Sequence, residues 1–287
     1  EIMRQLYKPF VTSVVVTDSS SAEVGKYASN AYLAKDISFI NEVAAFCEKA
    51  GADIQEVVEI MKLDPRIGQR AFIGPGLGYG GSCLPKDAAS LLSQAKKRDV
   101  TLKIVAAAQR VNKRLRKEFV RKIEEALGGL TKKEIGILGL SFKPNTDDMR
   151  EAPSIDIIKM LHQKGAQLKV YDPAAMDNAR GIFRRLTNVS FAQNPYEVAK
   201  EAQALVIITE WDEFKNLDLV RIKQLLKRPI IIDGRNIFEP QKMAELGFRY
   251  ISVGRPMVEP DTQLTPDLLD PDKAFLATVD LKAIPEY

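Results

Sequence analysis

The 287-residue sequence predicts an α/β protein: an all-helical section over residues 1–129, then a parallel α/β domain over residues 130–256, then an extended tail over 257–287. Three observations predict it. Apolar residues recur at helical spacing through the first section. From Glu134 onward, short apolar runs alternate with amphipathic stretches, the pattern of a parallel sheet with helices on both faces. Between the two, Gly128-Gly129 stops the last long helix, so the boundary falls near Gly128–Lys133.

The elements follow in order. Ser21 to Gly51 reads as one long helix, because Tyr27, Ala31, Ala34, Ile37, Phe39, Ile40, Val43, Ala44, Phe46 and Cys47 form a broad apolar face. Further helices are expected over Ile54–Lys62, Asp87–Arg98 and Leu102–Leu127. Strands are expected over Glu134–Phe142, Leu168–Tyr171, Ala204–Thr209, Pro229–Ile232 and Tyr250–Val253, with helices at Ser154–Lys164 and Leu217–Leu226. The tail after Gly254 is rich in Pro and Asp and has little periodicity.

Composition narrows the function classes. A net charge of +4 is too weak to argue for nucleic acid, and no apolar run approaches the ~20 residues of a membrane helix. Two cysteines make no disulfide framework and fit a reducing, cytoplasmic setting. No cluster has metal-ligand spacing, so no metal is expected. The one histidine, His162, reads as a surface residue of an amphipathic helix. No Gly-x-Gly-x-x-Gly follows a strand, so the usual dinucleotide fingerprint is missing.

The chemistry concentrates in Gly74-Pro-Gly-Leu-Gly-Tyr-Gly-Gly-Ser-Cys-Leu-Pro-Lys-Asp87. Its glycines allow tight turns and close approach to a ligand. Ser82 and Pro85 suit a helix start, which places Cys83 at a helix N-terminus with Lys86 nearby. Both features suit a nucleophilic thiol. Asp87 lies four residues after Cys83, on about the same side of the first turn. Lys26 and Asn30 are also four apart and share one helix face, in a setting expected to be protected. Cys47, on the apolar face, reads as core, and Asp172 reads as a strand-end capping residue.

The Gly-aromatic-Gly-Gly-Ser-Cys-x-Pro-Lys-Asp run resembles the active-site motif of the UDP-glucose/GDP-mannose 6-dehydrogenase family. So do Ala22–Asn30 with Ile37–Glu42, and Leu140–Ser154 with its Phe142-Lys143 and Asp-x-Arg-Glu. The resemblance implies a central helical dimerisation domain and a Rossmann-like domain that binds the nucleotide-sugar. It also implies an NAD-binding domain ahead of Glu1, so the chain reads as the C-terminal two-thirds of a dehydrogenase.

Site residues follow from the same resemblance. Cys83, Lys26, Asn30 and Asp87 correspond to the catalytic group: nucleophile, oxyanion-stabilising pair and water-activating carboxylate. Lys26, Asn30, Arg66, Gly76, Tyr79, Gly80, Phe142, Lys143 and Arg235 correspond to substrate contacts, Arg66 reaching the substrate of a neighbouring subunit. Cys83, Lys86 and Arg150 correspond to NAD contacts. Two departures stand out. Asp36 replaces a usual basic residue, and the spacing from Arg66 to Cys83 is one residue longer than is common in the family.

The implied activity is a four-electron oxidation of UDP-glucose to UDP-glucuronate through a cysteine thiohemiacetal and thioester. GDP-mannose is the alternative substrate. A non-catalytic, nucleotide-sugar-binding dimerisation fragment is the alternative class, and the chain alone is expected not to reduce NAD. The partners implied are a UDP-sugar and a second copy of the chain, with neither nucleic acid nor membrane.

Overall fold

A computed structural model describes residues 2–11 and 13–261, so most of the expected tail lies outside the described residues. The helical section holds α1 (Ile2–Tyr7), α2 (Ser19–Ala50), α3 (Ile54–Leu63), α4 (Leu84–Lys96) and α5 (Lys103–Leu127). Then come β1 (Glu134–Leu138), α6 (Pro153–Gln163), β2 (Gln167–Tyr171), α7 (Met176–Phe183), β3 (Val189–Phe191) and α8 (Pro195–Ala199). The chain continues through β4 (Ala204–Ile207), α9 (Asp212–Lys215), α10 (Leu219–Leu225), β5 (Ile230–Asp233), α11 (Pro240–Glu245) and β6 (Arg249–Ile251).

Helix α2 begins where the Asp18 carboxylate accepts the Ser21 N–H at 2.9 Å, and it ends at Gly51, whose φ of 73° is left-handed. Its buried face is narrower than its apolar composition suggests. Ala31, Ala34, Ile37, Ile40, Ala44 and Cys47 are buried, whereas Tyr32, Phe39 and Phe46, spaced by seven, are exposed. Its first turns, including Lys26, are largely exposed among the described residues. Helix α5 packs against α2 and α6 through a stripe at helical spacing, Val111, Leu115, Phe119 and Ile123. No helix among the described residues is long and apolar enough to cross a membrane.

The six strands form one all-parallel sheet in the order β3-β2-β1-β4-β5-β6. This is the doubly wound order, and ligands of such sheets lie beyond the carboxyl ends where the order reverses, here between β1 and β4. The protein is therefore α/β, with a central helical part followed by a parallel-sheet part. One apolar cluster runs through both, from Ile40 and Ala44 of α2 through Phe119 and Ile123 of α5 to Ile135, Ile157 and Ile232.

Two expectations change and one strand is added. β1 ends at Leu138 rather than Phe142, because Gly139 takes a φ of 92° and turns the chain toward the next layer. β3 is a three-residue, part-exposed edge strand with no apolar run to announce it. His162 is half-buried, its Nδ1 paired with the Asn188 side-chain oxygen, rather than a surface residue.

Candidate active site

The glycine-rich loop, residues 74–83, crosses the face where the helical layer meets the carboxyl edge of the sheet. Its path is fixed by buried polar side chains. Asn41 of α2 accepts the Gly76 N–H at 2.9 Å. Asn112 of α5 accepts the Tyr79 N–H at 2.8 Å and donates to the Tyr79 carbonyl at 3.0 Å. Arg116 of α5, 5% exposed, donates to the Tyr79 and Glu151 carbonyls and pairs with Asp156. The Gly81 N–H donates to the Arg150 carbonyl at 2.8 Å, and a Cβ on Gly80 would lie 2.5 Å from the Glu151 carbonyl oxygen. The loop and the 148–152 segment thus interlock at backbone contact, a distance only glycine permits.

Cys83 leaves this loop as the residue immediately before α4, with Pro85 in the first turn, and it is exposed. Its carbonyl accepts the Asp87 N–H at 2.9 Å, so Asp87 stands one turn along on the same helix. The helix begins at Leu84, three residues earlier than expected. Cys47, by contrast, is buried, and burial pushes its thiol up.

Asp87 is the centre of a charged cluster. It is 3% exposed. Its Oδ2 accepts from Lys26 Nζ at 3.2 Å and from the Asn30 amide, so the two α2 residues do converge on one point. Its Oδ1, shielded from solvent, has the Lys86 ammonium 2.8 Å away but outside hydrogen-bonding geometry. The Lys86 ammonium, with further help from Lys26 and Asn30, holds the Asp87 carboxyl below the usual carboxylate range despite its burial. Lys26 itself is 62% exposed rather than protected, because apart from its contact with Asp87 the first turns of α2 stay open among the described residues. Asp36 pairs with its neighbour Lys35.

Two clefts open on either side of Tyr79. The first, about 400 Å³, gathers Tyr79, Gly80, Phe142, Lys143, Glu210 and Arg235. Lys143 follows the carboxyl end of β1, Glu210 that of β4 and Arg235 that of β5. The Lys143 ammonium lies 5.6 Å from the centre of the Phe142 ring. Gly76 backs this cleft, for a Cβ there would sit 3.3 Å from Arg235 Nη1. The second cleft, about 920 Å³, includes Lys86, Lys113, Arg116 and Arg150. The Arg150 guanidinium is 70% exposed, with one edge on Asp148 at 2.7 Å. This pair holds Asp148 low and raises Arg150. Exposed cations on an open cleft fit the diphosphate of a dinucleotide.

Arg66 is brought to neither cleft. It is 87% exposed and its guanidinium is turned back onto Asp64 two residues away. Asn112, Arg116 and Glu210 were missed by sequence reasoning. Only Asn112 carried a signal, a polar side chain inside the apolar stripe of α5.

Residues 20–114 match the central domain of the UDP-glucose/GDP-mannose dehydrogenase family, and residues 136–240 match its UDP binding domain. The chain is 43% identical over 270 residues to UDP-glucose 6-dehydrogenase TuaD of Bacillus subtilis, covering 93% of this chain and 58% of that protein. It is 45% identical over 260 residues to a UDP-glucose 6-dehydrogenase of Rhizobium meliloti, covering 89% and 59%. A UDP-glucose dehydrogenase structure from Pyrobaculum islandicum superposes with a TM-score of 0.77 at 33% identity, covering 88% of this chain and 54% of that one. The chain belongs to the UDP-glucose/GDP-mannose dehydrogenase family. It spans somewhat under three-fifths of the length of the curated relatives it matches.

Proposed function

We propose that this chain carries the reactive cysteine and the nucleotide-sugar site of an NAD-dependent UDP-glucose 6-dehydrogenase. One observation carries the reading: Cys83 opens a helix whose first turn holds Asp87, and Lys26 and Asn30 reach that same carboxylate from α2. The cleft of Phe142, Lys143 and Arg235 on the neighbouring face suits an aromatic base or sugar and a diphosphate. The relatives' names favour UDP-glucose over GDP-mannose.

Lys86 and Arg150 would hold the anionic part of NAD, next to Cys83. NAD, when bound, takes up a hydride in each of the two oxidations. At the aldehyde level the Cys83 sulfur adds to the sugar C6 carbon, a C–S bond forms, and the oxygen gathers negative charge. Lys26 and Asn30 stabilise that oxygen as it develops. At the thioester level Asp87 takes a proton from water, the water oxygen bonds to C6, and the C–S bond breaks to return the sulfur and release the carboxylate. Asp87 is a weak base while Lys26, Asn30 and Lys86 surround it. Transfer of Lys26 and Asn30 to the substrate oxygen removes two of these three partners and strengthens it as a base, at the step that needs one.

The exposed Tyr32, Phe39 and Phe46 stripe of α2 suits cover by a second copy, so a homodimer belongs to this reading, with Arg66 crossing to the partner's site. Residues 1–129, 130–256 and 257–287 are then dimerising section, nucleotide-sugar domain and tail. The expected setting is the cytoplasm. The chain alone, without a glycine-rich dinucleotide fingerprint, binds nucleotide-sugar but does not reduce NAD. The test is NADH formed per sugar by the complete gene product, with UDP-glucose and GDP-mannose side by side. Two NADH per UDP-glucose, lost in Cys83→Ser without loss of fold, is the expected result. Uronate at the normal rate from Cys83→Ser overturns the covalent scheme, and activity with GDP-mannose alone reverses the substrate.

A further inference from the structure

We infer that Glu210 is a positioning residue for the nucleotide-sugar diphosphate, acting through Arg235; the inference rests on the nucleotide-sugar reading of the 400 Å³ cleft. The argument starts at the backbone. Glu210 lies beyond the carboxyl end of β4, where the strand order reverses. It is flanked by Thr209, whose hydroxyl donates to the Ser141 carbonyl at 2.6 Å, and by Trp211, whose Nε1 donates to Ser141 Oγ at 3.2 Å and to Asp172 at 3.1 Å. Both flanking side chains are buried, so the backbone that carries Glu210 is fixed on either side.

The side chain meets a second fixed object. Arg235 Nε donates to the Ile208 carbonyl at 2.7 Å and lies 3.1 Å from Glu210 Oε2. The Nε proton is thus committed to Ile208, and Glu210 contributes charge at the same edge: its Oε2 is shielded from solvent and has no hydrogen-bond partner among the described residues. Gly76 limits the guanidinium on another side. With its Nε edge occupied, the two terminal nitrogens of Arg235 make no hydrogen bond among the described residues, and the side chain lines the cleft shared with Lys143 and Phe142. A guanidinium held by one edge presents the other as a preformed fork, the geometry that matches phosphate oxygens. The counter-charge also makes a side chain only 13% exposed tolerable as a cation before ligand arrives.

The sign of the effect separates this role from a plain field effect. Removing a negative charge beside an anion site tightens anion binding if charge alone matters. Removing the group that aims Arg235 weakens it. Titration of the 287-residue chain with UDP in a calorimeter, with thermal unfolding as the fold control, reads the difference. Glu210→Ala is expected to weaken UDP about tenfold, with Glu210→Gln between it and the native protein and unfolding temperatures unchanged. Glu210→Ala added to Arg235→Lys is expected to weaken UDP little further, since the two act as one unit. Tighter or unchanged UDP binding by Glu210→Ala overturns the inference, as does full additivity with Arg235→Lys. Native protein that binds no UDP overturns the nucleotide-sugar reading instead, and with it the inference. Loss of UDP in an Arg235 variant but not in Glu210→Ala overturns the inference alone.

Discussion

Replacing Asp172 by Asn tests whether the carboxyl edge of the sheet is organised as described. Asp172 follows β2, is fully buried, and has no ion-pair partner among the described residues. Its charge is met by hydrogen bonds alone. Oδ2 accepts from Leu140 N at 2.7 Å, Ser141 N at 3.0 Å, Ser141 Oγ at 3.0 Å and Trp211 Nε1 at 3.1 Å. Oδ1 accepts from Ala174 N at 2.9 Å and Ala175 N at 2.8 Å. An Asn side chain must turn its NH₂ toward one of these sets. The less costly choice faces Ala174 and Ala175, sets donor against donor, and unpairs two N–H groups, that of Ala175 buried and that of Ala174 at the surface. Each such loss is worth about 1.5–3 kcal/mol when the acceptor was charged, and the remaining bonds weaken as the charge goes. The Ala174 N–H can turn to water and relief of the buried charge offsets part of the rest, so the net expectation is a loss of about 2–4 kcal/mol. That is a large share of the roughly 5–15 kcal/mol that holds a domain folded. Urea unfolding followed by tryptophan emission is the assay, because Trp211 is the single tryptophan and its indole N–H touches the mutated group. A variant within about 1 kcal/mol of the native protein, with unchanged emission, would refute the claim that Asp172 organises this corner.

Two further perturbations test the site and its frame. Asp87 has a folded-state pKa below that of the unfolded chain, so the unfolded state takes the proton first as pH falls. Its stabilisation is complete above about pH 4 and is lost as pH falls through the lower folded value. Asp87→Asn should therefore flatten the acid side of a plot of unfolding temperature against pH while leaving the slope above pH 6 unchanged; an identical acid limb would contradict the cluster. Gly254→Ala places a methyl at a φ of 72°, with Ile54 Cγ2 at 2.6 Å and Ala44 Cβ at 2.7 Å, both in the core. Overpacking plus left-handed strain of about 2–4 kcal/mol should lower the unfolding temperature by roughly 4–16 °C, and a shift under about 2 °C would show that this contact is loose.

Much of the fold was legible because its signals are local. The alternation of short apolar runs and amphipathic stretches marked every strand except β3, and Gly51 and Gly128 marked the ends of α2 and α5. β3 escaped because a three-residue edge strand needs only one partner, and Val189–Phe191 has no run to recognise. Of the site, what lies within one helix turn was readable: Cys83 before Asp87, Lys26 before Asn30. That the two pairs meet was not, since it depends on how α2 lies against α4. Arg116 shows the limit most plainly. In sequence it is one of several cations on α5; in the structure it is buried, while Lys113 and Lys117 on the same helix are exposed. Charge type does not separate them; the facing carbonyls of Tyr79 and Glu151 and the Asp156 carboxylate do. Glu210 likewise sat in plain view within a strand-helix turn, and its relation to Arg235 needed the sheet order.

The cleft walls come from different parts of the chain, so something must set their spacing. The segment Ser252–Arg255 does so by bonding to both. Toward the helical part, Gly254 N donates to Glu48 at 2.7 Å, Ile54 N donates to the Gly254 carbonyl at 2.9 Å, Lys122 donates to the Ser252 carbonyl at 2.9 Å, and Arg255 donates to Asp53 at 2.9 Å. Toward the sheet part, Arg255 donates to the Phe238 carbonyl and Glu239, each at 3.0 Å, and Asn236 exchanges two hydrogen bonds with Val253. Asn236 is the residue after Arg235. The loop that aims Arg235 into the cleft is therefore tied, through one short segment, to α2 and to the start of α3. Buried ion pairs such as Arg255 with Asp53 contribute little net stability, because desolvation offsets their attraction. Their position is what matters here: they join the helical layer to the sheet edge beside the point where a Cβ on Gly76 would lie 3.3 Å from Arg235 Nη1.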